Sequence, residues 1–532
     1  MSELLMGLLR RCIPVAVLAA LAATAAQAAP ANPPAVWPFW GNGADNTRSS
    51  AVETRLSPAT VPHLETAWVY TTSGNVPDTP TVDSDAVYVT DWGGTTSKLD
   101  RASGRVLWKH QVAEYMGALG AFSRNSPALS DSLAVFGSMG VGTTATVMAV
   151  SKSTGKLVWK SWVDNKRASV ITQSPVIYGD HVYVGVSSYQ EVSGIDPLTP
   201  PDFRGSVVAL NLATGAIDWR FYTVPPGYTG GPVWGSTLVP DARRGLLYVT
   251  TGNNYTLPPS VSACLKSTPD PTLQQINCLA PDNYVDAVLA LDLQTGVVKW
   301  SQRFHQGADA WNFTCLLGTL DPSCPQPSGP DYDFGSGVNL IDTVIGGKPV
   351  QLLGAGQKSG IYWALKPDDG SVVWHTRVGP GGIDGGILWG SATDGKRVFC
   401  AIADLELNSY TFGPSHTVSH QGGSWAALDA ATGAFLWQIP EQGMNPLIPL
   451  APATSSAALT VANGVLYAGS QSGDMVAIDA ASGRTLWSFA SGGTVMDGPS
   501  VVDGWVYWGS GYNNFVITGK PNNKLYAFTL GQ

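Results

Sequence analysis

A short polar stretch at residues 248–258, YVTTGNNYTLP, contains the first side chains that suggest chemistry. A strand-like segment runs into Gly252 and Asn253, where a strand would only need to turn back. Both residue types tolerate a positive backbone φ, so a tight turn explains the pair without any further role. The amide oxygen of Asn253 is equally suited to bind a hard metal ion, because such ions prefer oxygen ligands. Both interpretations remain open from this stretch alone.

A repeat of Gly and Trp predicts the elements that position such residues. Seven times a polar turn residue precedes a Gly, and a Trp follows four residues after that Gly; the pairs are Gly104–Trp108, Gly155–Trp159, Gly215–Trp219, Gly296–Trp300, Gly370–Trp374, Gly433–Trp437 and Gly483–Trp487. An eighth Trp, Trp68, lacks the preceding turn. Successive Trp residues are 40 to 81 positions apart. Each unit therefore has room for one four-stranded blade and its loops.

The repeat predicts an all-β fold, an eight-bladed β-propeller. The polar residue and Gly would form a hairpin turn, and the Trp would pack flat between neighbouring blades. Eight Trp residues imply eight blades. The C-terminal strand KLYAFTL has no turn after it, and Trp68 has none before it. We therefore expect the two ends of the chain to complete one blade together and close the ring.

The composition excludes some functions. The chain has a net charge of −9, which argues against a nucleic-acid partner, because such partners require a basic surface. Only 13% of the residues are charged, against roughly 25% in an ordinary soluble domain. The 60 Gly and 19 Trp residues instead suit short strands, tight turns and seams filled by rings.

The first 28 residues have the pattern of a secretory signal peptide. Arg10 and Arg11 precede an apolar run over residues 13–26, and the small-residue site Ala26-Gln27-Ala28 ends it. The run is too short and too rich in Ala for a membrane anchor. We expect a signal peptide at residues 1–28, a single propeller domain at residues 29–532, no membrane span, and a periplasmic or secreted protein.

The cysteines beyond the signal segment predict two local disulfides. The spacings C-x13-C and C-x8-C lie in Pro-rich insertions, which favours the pairs Cys264–Cys278 and Cys315–Cys324 in an oxidising compartment. Cys400 has the context of a buried strand thiol. No C-x-x-C-H motif occurs, so the chain carries no c-type haem of its own.

The turns of the form xDxxTGxxxW resemble the tryptophan-docking motif of the pyrroloquinoline-quinone (PQQ) alcohol dehydrogenase superfamily. The stretches WGNGADNTRSS, DFRGSVVALN, ADAWNFTC and ILWGSATDGKRVF are most similar to its polyvinyl-alcohol dehydrogenase branch. The resemblance implies a PQQ- and Ca²⁺-dependent dehydrogenase of alcohols, secondary alcohols in a polymer included. It would pass electrons to an external acceptor such as a cytochrome c. The alternative is a non-catalytic propeller, a scaffold or a cofactor binder, because such propellers carry the motif too.

The resemblance assigns five residues to the cofactor. In GPVWGST, Trp234 matches the Trp that stacks beneath the quinone. In ALGAFSRNSPAL, Arg124 matches an Arg whose guanidinium suits the cofactor carboxylates. In GAGQKSGIYWAL, Lys358 matches the cation beside the quinone oxygen that gains charge on reduction, a catalytic role. Thr172 and Ser188 match weaker hydroxyl contacts.

The resemblance also implies a metal site and a general base. Glu191 and Asn253 match the calcium ligands, and their oxygens suit a hard cation. In FHQGADAWNFTC the position of the family's general base is held by Asn312, which cannot accept a proton at neutral pH. Asn312 is therefore expected to act as a ligand or a weak catalytic group. Asp309, three residues earlier, is the predicted base.

Overall fold

Eight four-stranded antiparallel sheets make up most of the described chain. The computed structural model describes residues 35–140, 143–193, 201–305, 307–317, 324–412, 418–513 and 519–531. Residues 35–532 form one compact unit. The predicted signal peptide lies outside the described residues and stays a prediction.

The first four sheets follow the chain in order, and we number them blades 1 to 4. Their strands, from the inner to the outer edge, are Thr81–Val82, Ala86–Thr90, Thr95–Asp100 and Val106–Gln111; Ala128–Leu129, Leu133–Gly137, Thr146–Ser151 and Leu157–Trp162; Val176–Tyr178, His181–Ser188, Ser206–Asn211 and Ile217–Tyr222; and Val239–Asp241, Leu246–Thr250, Ala287–Asp292 and Val298–Arg303. A short strand, Ser169–Val170, also pairs with the second strand of blade 3.

Blades 5 to 8 continue the same order. Their strands are Asn339–Ile345, Lys348–Gly356, Ile361–Leu365 and Val372–Arg377; Ala392–Thr393, Arg397–Asp404, Ser424–Asp429 and Phe435–Pro440; Thr460–Ala462, Val465–Gly469, Asp474–Asp479 and Thr485–Ala490; and Ser500–Val502, Trp505–Ser510, Lys524–Leu530 and Leu64–Thr71. Gly385–Gly386 joins blade 6, and Ser49–Ser50 pairs in parallel with the inner strand of blade 7.

The remaining elements are short. Two-stranded ribbons join Thr229–Gly230 to Asn254–Thr256 and Tyr410–Phe412 to Val418–His420. The α-helices are Val112–Met116, Gln190–Ser193, Pro259–Ser267 and Pro271–Asn277, and the 3₁₀ helices are Val61–His63 and Phe313–Leu317. No helix among the described residues is both long and apolar enough to span a membrane.

The two ends of the chain close the ring in blade 8, as the sequence predicts. Leu64–Thr71 is the outermost strand of the blade that contains the C-terminal strand, with Trp68 opposite Ala527. The indole of Trp487 in blade 7 donates to the carbonyl of Leu64 at 3.2 Å. Pairing the chain ends replaces an open edge by a hydrogen-bonded one, which explains why a blade needs both ends.

The docking repeat also works as predicted. Each of the eight Trp side chains donates its indole N–H to a carbonyl of the next blade: Trp68 to Arg101, Trp108 to Lys152, Trp159 to Leu212, Trp219 to Leu293, Trp300 to Pro367, Trp374 to Ala430, Trp437 to Ala480 and Trp487 to Leu64. The repeat Gly has a positive φ and leaves no room for a side chain; a Cβ on Gly370 would lie 2.6 Å from the Trp300 ring.

Both predicted disulfides are present, Cys264–Cys278 and Cys315–Cys324, and Cys400 is a buried free thiol. The disulfides lie in insertions of blade 4 and between blades 4 and 5, outside the repeat.

The blade topology sets the face on which a site can form. The first and second strands of every blade are antiparallel. The loop that leads into the first strand and the loop that leaves the second strand therefore lie at the same end of the blade. Side chains from these two kinds of loop meet near the propeller axis.

Candidate functional site

A cavity lies among these loops, centred on blades 3 to 6. Loops that lead into first strands supply Arg124, Thr172, Trp234, Asp331, Asp333 and Trp389, and loops that leave second strands supply Ser188, Glu191, Lys358 and Tyr512. The structure thus brings together six residues that the sequence assigned separately: Arg124, Thr172, Ser188, Glu191, Trp234 and Lys358. Asn253 is outside the lining, but its backbone N–H donates to Asp333 of the cavity wall at 2.7 Å.

Lys358 is the centre of the charged part of the cavity. Its Nζ lies 3.0 Å from Asp331 Oδ2 and 3.6 Å from Asp333 Oδ2. The same ammonium lies 5.3 Å from the centroid of the Trp234 ring. Burial by itself would lower the pKa of Lys358, but the carboxylates around it hold that pKa above its ordinary value. The lysine is therefore a permanent cation in this cavity.

Asp331 presents an oxygen that nothing in the described chain satisfies. Its Oδ1 is buried and has no hydrogen-bond partner. Burial raises the pKa of Asp331 well above its usual range, and the neighbouring carboxylates add to this against the pull of Lys358. The residue has φ +60°, a strained backbone for a non-Gly residue. Strain of this kind is concentrated at functional sites, where surrounding contacts hold it.

Asp333 ties the ring of Trp234 to the segment of Asn253. Its Oδ2 accepts from Trp234 Nε1 at 2.7 Å, and its Oδ1 accepts from the backbone N–H of Asn253 at 2.7 Å. This carboxylate is therefore occupied by protein donors. It fixes the orientation of the indole that lines the cavity.

Glu191 and Asn253, the two predicted metal ligands, are near neighbours. The Asn253 side chain acts to lower the pKa of the Glu191 carboxyl, against the larger effect of burial. Asn253 Nδ2 donates to the carbonyl of Trp311 at 3.0 Å, which turns its Oδ1 the other way. Glu191 Oε1 and Asn253 Oδ1 are both buried and have no hydrogen-bond partner among the described residues. Burial, with the nearby Asp333, raises the pKa of Glu191 to about 8.

These unsatisfied oxygens test whether a metal and a quinone fit. A buried oxygen without a hydrogen-bond partner costs about 1–3 kcal/mol of stability. A cation that binds such oxygens offsets this cost, because it supplies the missing partner. No group of three or more His, Cys, Asp or Glu side chains in the described ranges forms a metal site by itself. The oxygens of Glu191 and Asn253 are of the type that Ca²⁺ prefers, so the residues present fit a hard cation.

Two indole rings and a guanidinium form the rest of the cavity wall. Trp234 and Trp389 meet edge to face, with ring centroids 5.3 Å apart. The Arg124 guanidinium lies over Trp389 at 4.3 Å. Thr172 Oγ1 donates to the Trp234 carbonyl at 3.0 Å, and Ser188 Oγ accepts from Gln190 N at 2.9 Å. These two hydroxyls are engaged with the protein, whereas Trp389 Nε1 has no partner among the described residues.

Asp309 and Asn312 do not line the cavity in the described part of the chain. Asp309 is fully buried, and its carboxylate accepts from the backbone N–H groups of Asp331 at 3.0 Å and Tyr332 at 2.8 Å. Asn312 Oδ1 accepts from Thr314 N at 3.0 Å and Thr314 Oγ1 at 2.6 Å. Both side chains therefore support the loops around the cavity, and their predicted catalytic roles stay predictions.

Among the cavity residues that sequence reasoning missed are Asp331, Asp333 and Trp389. The two acids occur in GPDYDFGSG, separated from ADAWNF by the insertion that carries Cys315 and Cys324. The sequence does contain a signal for them. Both acids lie in a Gly-rich segment just before the first strand of a blade, which is where site residues occur in this fold. Trp389, in ILWGS, lies outside the docking repeat, the same criterion that singled out Trp234.

Comparisons with known proteins find relatives in sequence and in fold. A family model described as outer membrane protein assembly factor BamB matches residues 65–198 and 421–529. The polyvinylalcohol dehydrogenase of Pseudomonas sp is 29% identical over 93% of this chain and 77% of its own length; that of Sphingopyxis sp. (strain 113P3) is 29% identical over 93% and 76%. The solved quinohemoprotein alcohol dehydrogenase ADHIIG from Pseudomonas putida HK5 has a TM-score of 0.70 at 19% identity, covering 94% of this chain and 80% of that one.

The fold of the chain is similar to that of the solved quinohemoprotein alcohol dehydrogenases. In sequence the chain is similar to two polyvinylalcohol dehydrogenases over 93% of its length.

Proposed function

We propose that the chain is a periplasmic PQQ- and Ca²⁺-dependent dehydrogenase of alcohols, secondary alcohols such as those of polyvinyl alcohol included. Electrons would leave to an external acceptor such as a cytochrome c. The observation that carries the proposal is one cavity lined by a buried lysine, an arginine and two indole rings, with three unsatisfied buried oxygens in or next to its wall. Those oxygens belong to Glu191, Asn253 and Asp331.

The residues divide between the metal and the cofactor. Glu191 and Asn253 would hold Ca²⁺, Arg124 and Lys358 would meet the carboxylates and the quinone oxygen of PQQ, and Trp234 would flank its rings. When bound, the pair supplies a two-electron acceptor and a Lewis acid. Asn312 is not included, because its amide oxygen already accepts two hydrogen bonds from Thr314.

Asp331 is the better candidate for the general base. It lines the cavity, has one free oxygen, and contacts Lys358 through the other. Lys358 opposes the burial that raises the pKa of Asp331. In its ionised form the carboxylate can accept the proton of a substrate hydroxyl. Asp309, the base expected from the sequence, has both oxygens on backbone N–H groups. We assign to Asp309 the support of the strained Asp331 backbone.

The rival function is a scaffold, and the buried oxygens without partners are the observation that speaks against it. The family model described as an assembly factor matches residues 65–198 and 421–529. Some of the site residues lie inside the first of these segments and others lie between the two, so their positions do not decide the matter. A scaffold has no use for unsatisfied buried oxygens, since each one lowers its stability.

The test is reconstitution of the purified chain with PQQ and Ca²⁺, added together and separately, in a dye-linked assay with 2-hexanol and polyvinyl alcohol. We expect oxidation only when both are present, and PQQ binding that depends on Ca²⁺. PQQ binding is measured by the quenching of Trp fluorescence. If PQQ does not quench that fluorescence, the scaffold function is favoured.

A further inference from the structure

A groove beside the cavity is not explained by the proposed site. One wall is segment 377–380, which follows the outer strand of blade 5. The other wall consists of Ser409, Tyr410, Thr411 and Ser419, on the ribbon that joins Tyr410–Phe412 to Val418–His420. Thr411 and Ser419 face each other across this ribbon. We call this feature the ribbon groove.

The ribbon groove and the cavity share one wall. Segment 378–386 lines the groove with Val378 and Pro380 and, a few residues on, lines the cavity with Ile383 and Asp384. The backbone holds this segment against the Lys358 loop, because Gly382 N donates to the Lys358 carbonyl at 3.2 Å. Whatever lies in the groove is therefore adjacent to the mouth of the cavity.

The wall of the groove that carries the ribbon also extends to the opening of the cavity. Glu406 Oε1 accepts from the backbone N–H of Ile383 at 3.1 Å, and Glu406 Oε2 accepts from Asn408 Nδ2 at 3.3 Å. Ser409, the next residue, lines the groove. One continuous surface thus runs from the ribbon to Ile383 at the cavity.

The side chains that line the ribbon groove suit a ligand that is amphiphilic and uncharged. Three exposed hydroxyl side chains, Ser409, Thr411 and Ser419, lie opposite the aliphatic Val378 and Pro380. No carboxylate occurs among the described residues that line it. Its one cation is Arg377, whose Nη1 donates to the Ser359 carbonyl at 2.7 Å. Such a surface offers hydrogen bonds to hydroxyls and apolar contact to methylene groups.

We infer that the ribbon groove binds the flanking units of a linear polyhydroxylated aliphatic chain, such as polyvinyl alcohol, while one unit occupies the cavity. The inference rests on the proposed function for the role of the cavity. A small alcohol inside the cavity does not extend to the groove, whereas the neighbouring units of a polymer must leave through the mouth. Binding there lowers KM for the polymer alone, because it contributes equally before and during the chemical step.

The first test measures polymer binding without any cofactor. The variant T411W fills the groove at an exposed position and suits a strand. The control S132W places the same ring on an exposed turn between the first and second strands of blade 2, at the opposite end of the blade. In native gels cast with polyvinyl alcohol, we expect the parent and S132W to be retarded and T411W to run freely. Equal mobility of the parent and T411W, or equal retardation in dextran gels, would overturn the inference.

The second test uses the reconstituted enzyme with polyvinyl alcohol and with 2,4-pentanediol, a two-hydroxyl fragment of it. We expect T411W to lower the ratio of kcat/KM for polymer over diol about tenfold, the loss of one or two net hydrogen bonds. An unchanged ratio would contradict the inference that the ribbon groove binds the polymer. If the parent oxidises neither substrate, the proposed function fails, and the gels still decide whether the groove binds polymer.

Discussion

Lys358 Nζ and Asp331 Oδ2 are 3.0 Å apart in the wall of the cavity, and both side chains are almost completely buried. Each residue comes from a different loop of blade 5, one before its first strand and one after its second. The pair therefore reports whether that end of the blade is correctly assembled. It also supplies the cation and the carboxylate that the proposed reaction needs.

Replacing Lys358 should destabilise the protein, because it leaves Asp331 and Asp333 buried without their cation. We expect Lys358→Met to lower the free energy of unfolding by about 3–5 kcal/mol. The matched control is Lys299→Met, since Lys299 lies 3.0 Å from Asp292 but both are partly exposed. That surface pair should contribute less than about 1 kcal/mol. Equal losses in urea unfolding would show that the buried pair is not special.

The stability of the cavity should depend on the ionisation of Asp384. Burial raises its pKa from the ordinary 3.8 to about 6, with Lys358 opposing the change. A raised pKa means that the folded state binds the proton more tightly than the unfolded state does. The free energy of unfolding therefore falls as the pH rises from about 4 to 6, and above pH 6 the loss stays constant. We expect Asp384→Asn to gain about 3 kcal/mol over the parent at pH 7 and almost nothing near pH 4. A difference independent of pH would contradict this.

The docking turns should be intolerant of even one methyl group. Gly370 has φ +71°, and a Cβ there would lie 2.6 Å from the Trp300 ring. Gly346 has φ +59° with nothing within 4 Å of its virtual Cβ. Both changes to Ala carry the backbone cost of a positive φ, but only Gly370→Ala adds a clash. We expect it to cost about 1–3 kcal/mol more than Gly346→Ala in thermal or urea unfolding. The reverse order would rule out docking as the reason for the Gly.

Glu191 should decide metal-dependent binding of the cofactor. Glu191→Gln keeps the shape of the side chain but removes the charge that a divalent cation requires. We expect Ca²⁺ to lose its effect on PQQ binding, measured by quenching of Trp fluorescence. The control Glu406→Gln changes an exposed acid near the cavity mouth. Loss of the Ca²⁺ effect in both variants would indicate a general charge effect instead.

The fold follows from the sequence because one physical unit recurs. Each Gly permits the turn and each Trp reaches a carbonyl of the next blade, so the count of Trp residues predicts the count of blades. The site is less regular. Arg124, Trp234 and Lys358 lie next to repeat strands and are identifiable by their departure from the repeat. Asp331 acquires its position from Asp309, twenty-two residues earlier in the chain, across an insertion.

That contact is why a local motif misleads. In ADAWNF the acid two residues before the Trp is the natural candidate for a base, yet its carboxylate accepts hydrogen bonds from the backbone of Asp331 and Tyr332. Sequence spacing could not identify Trp389 and Asp333 either. Trp389 contacts Arg124, and Asp333 contacts Asn253, and in each case the partner comes from another blade. Only the closed ring brings these groups together.

The most direct measurement is the turnover of Asp331→Asn beside Asp309→Asn, both loaded with PQQ and Ca²⁺ and both checked for cofactor binding. If Asp331 is the base, Asp331→Asn retains PQQ binding and loses turnover by about 10²–10⁴-fold. Asp309→Asn should lose stability, by about 1–3 kcal/mol, with a much smaller change in kcat once folded. Full turnover in Asp331→Asn, with turnover abolished in folded Asp309→Asn, would contradict the account.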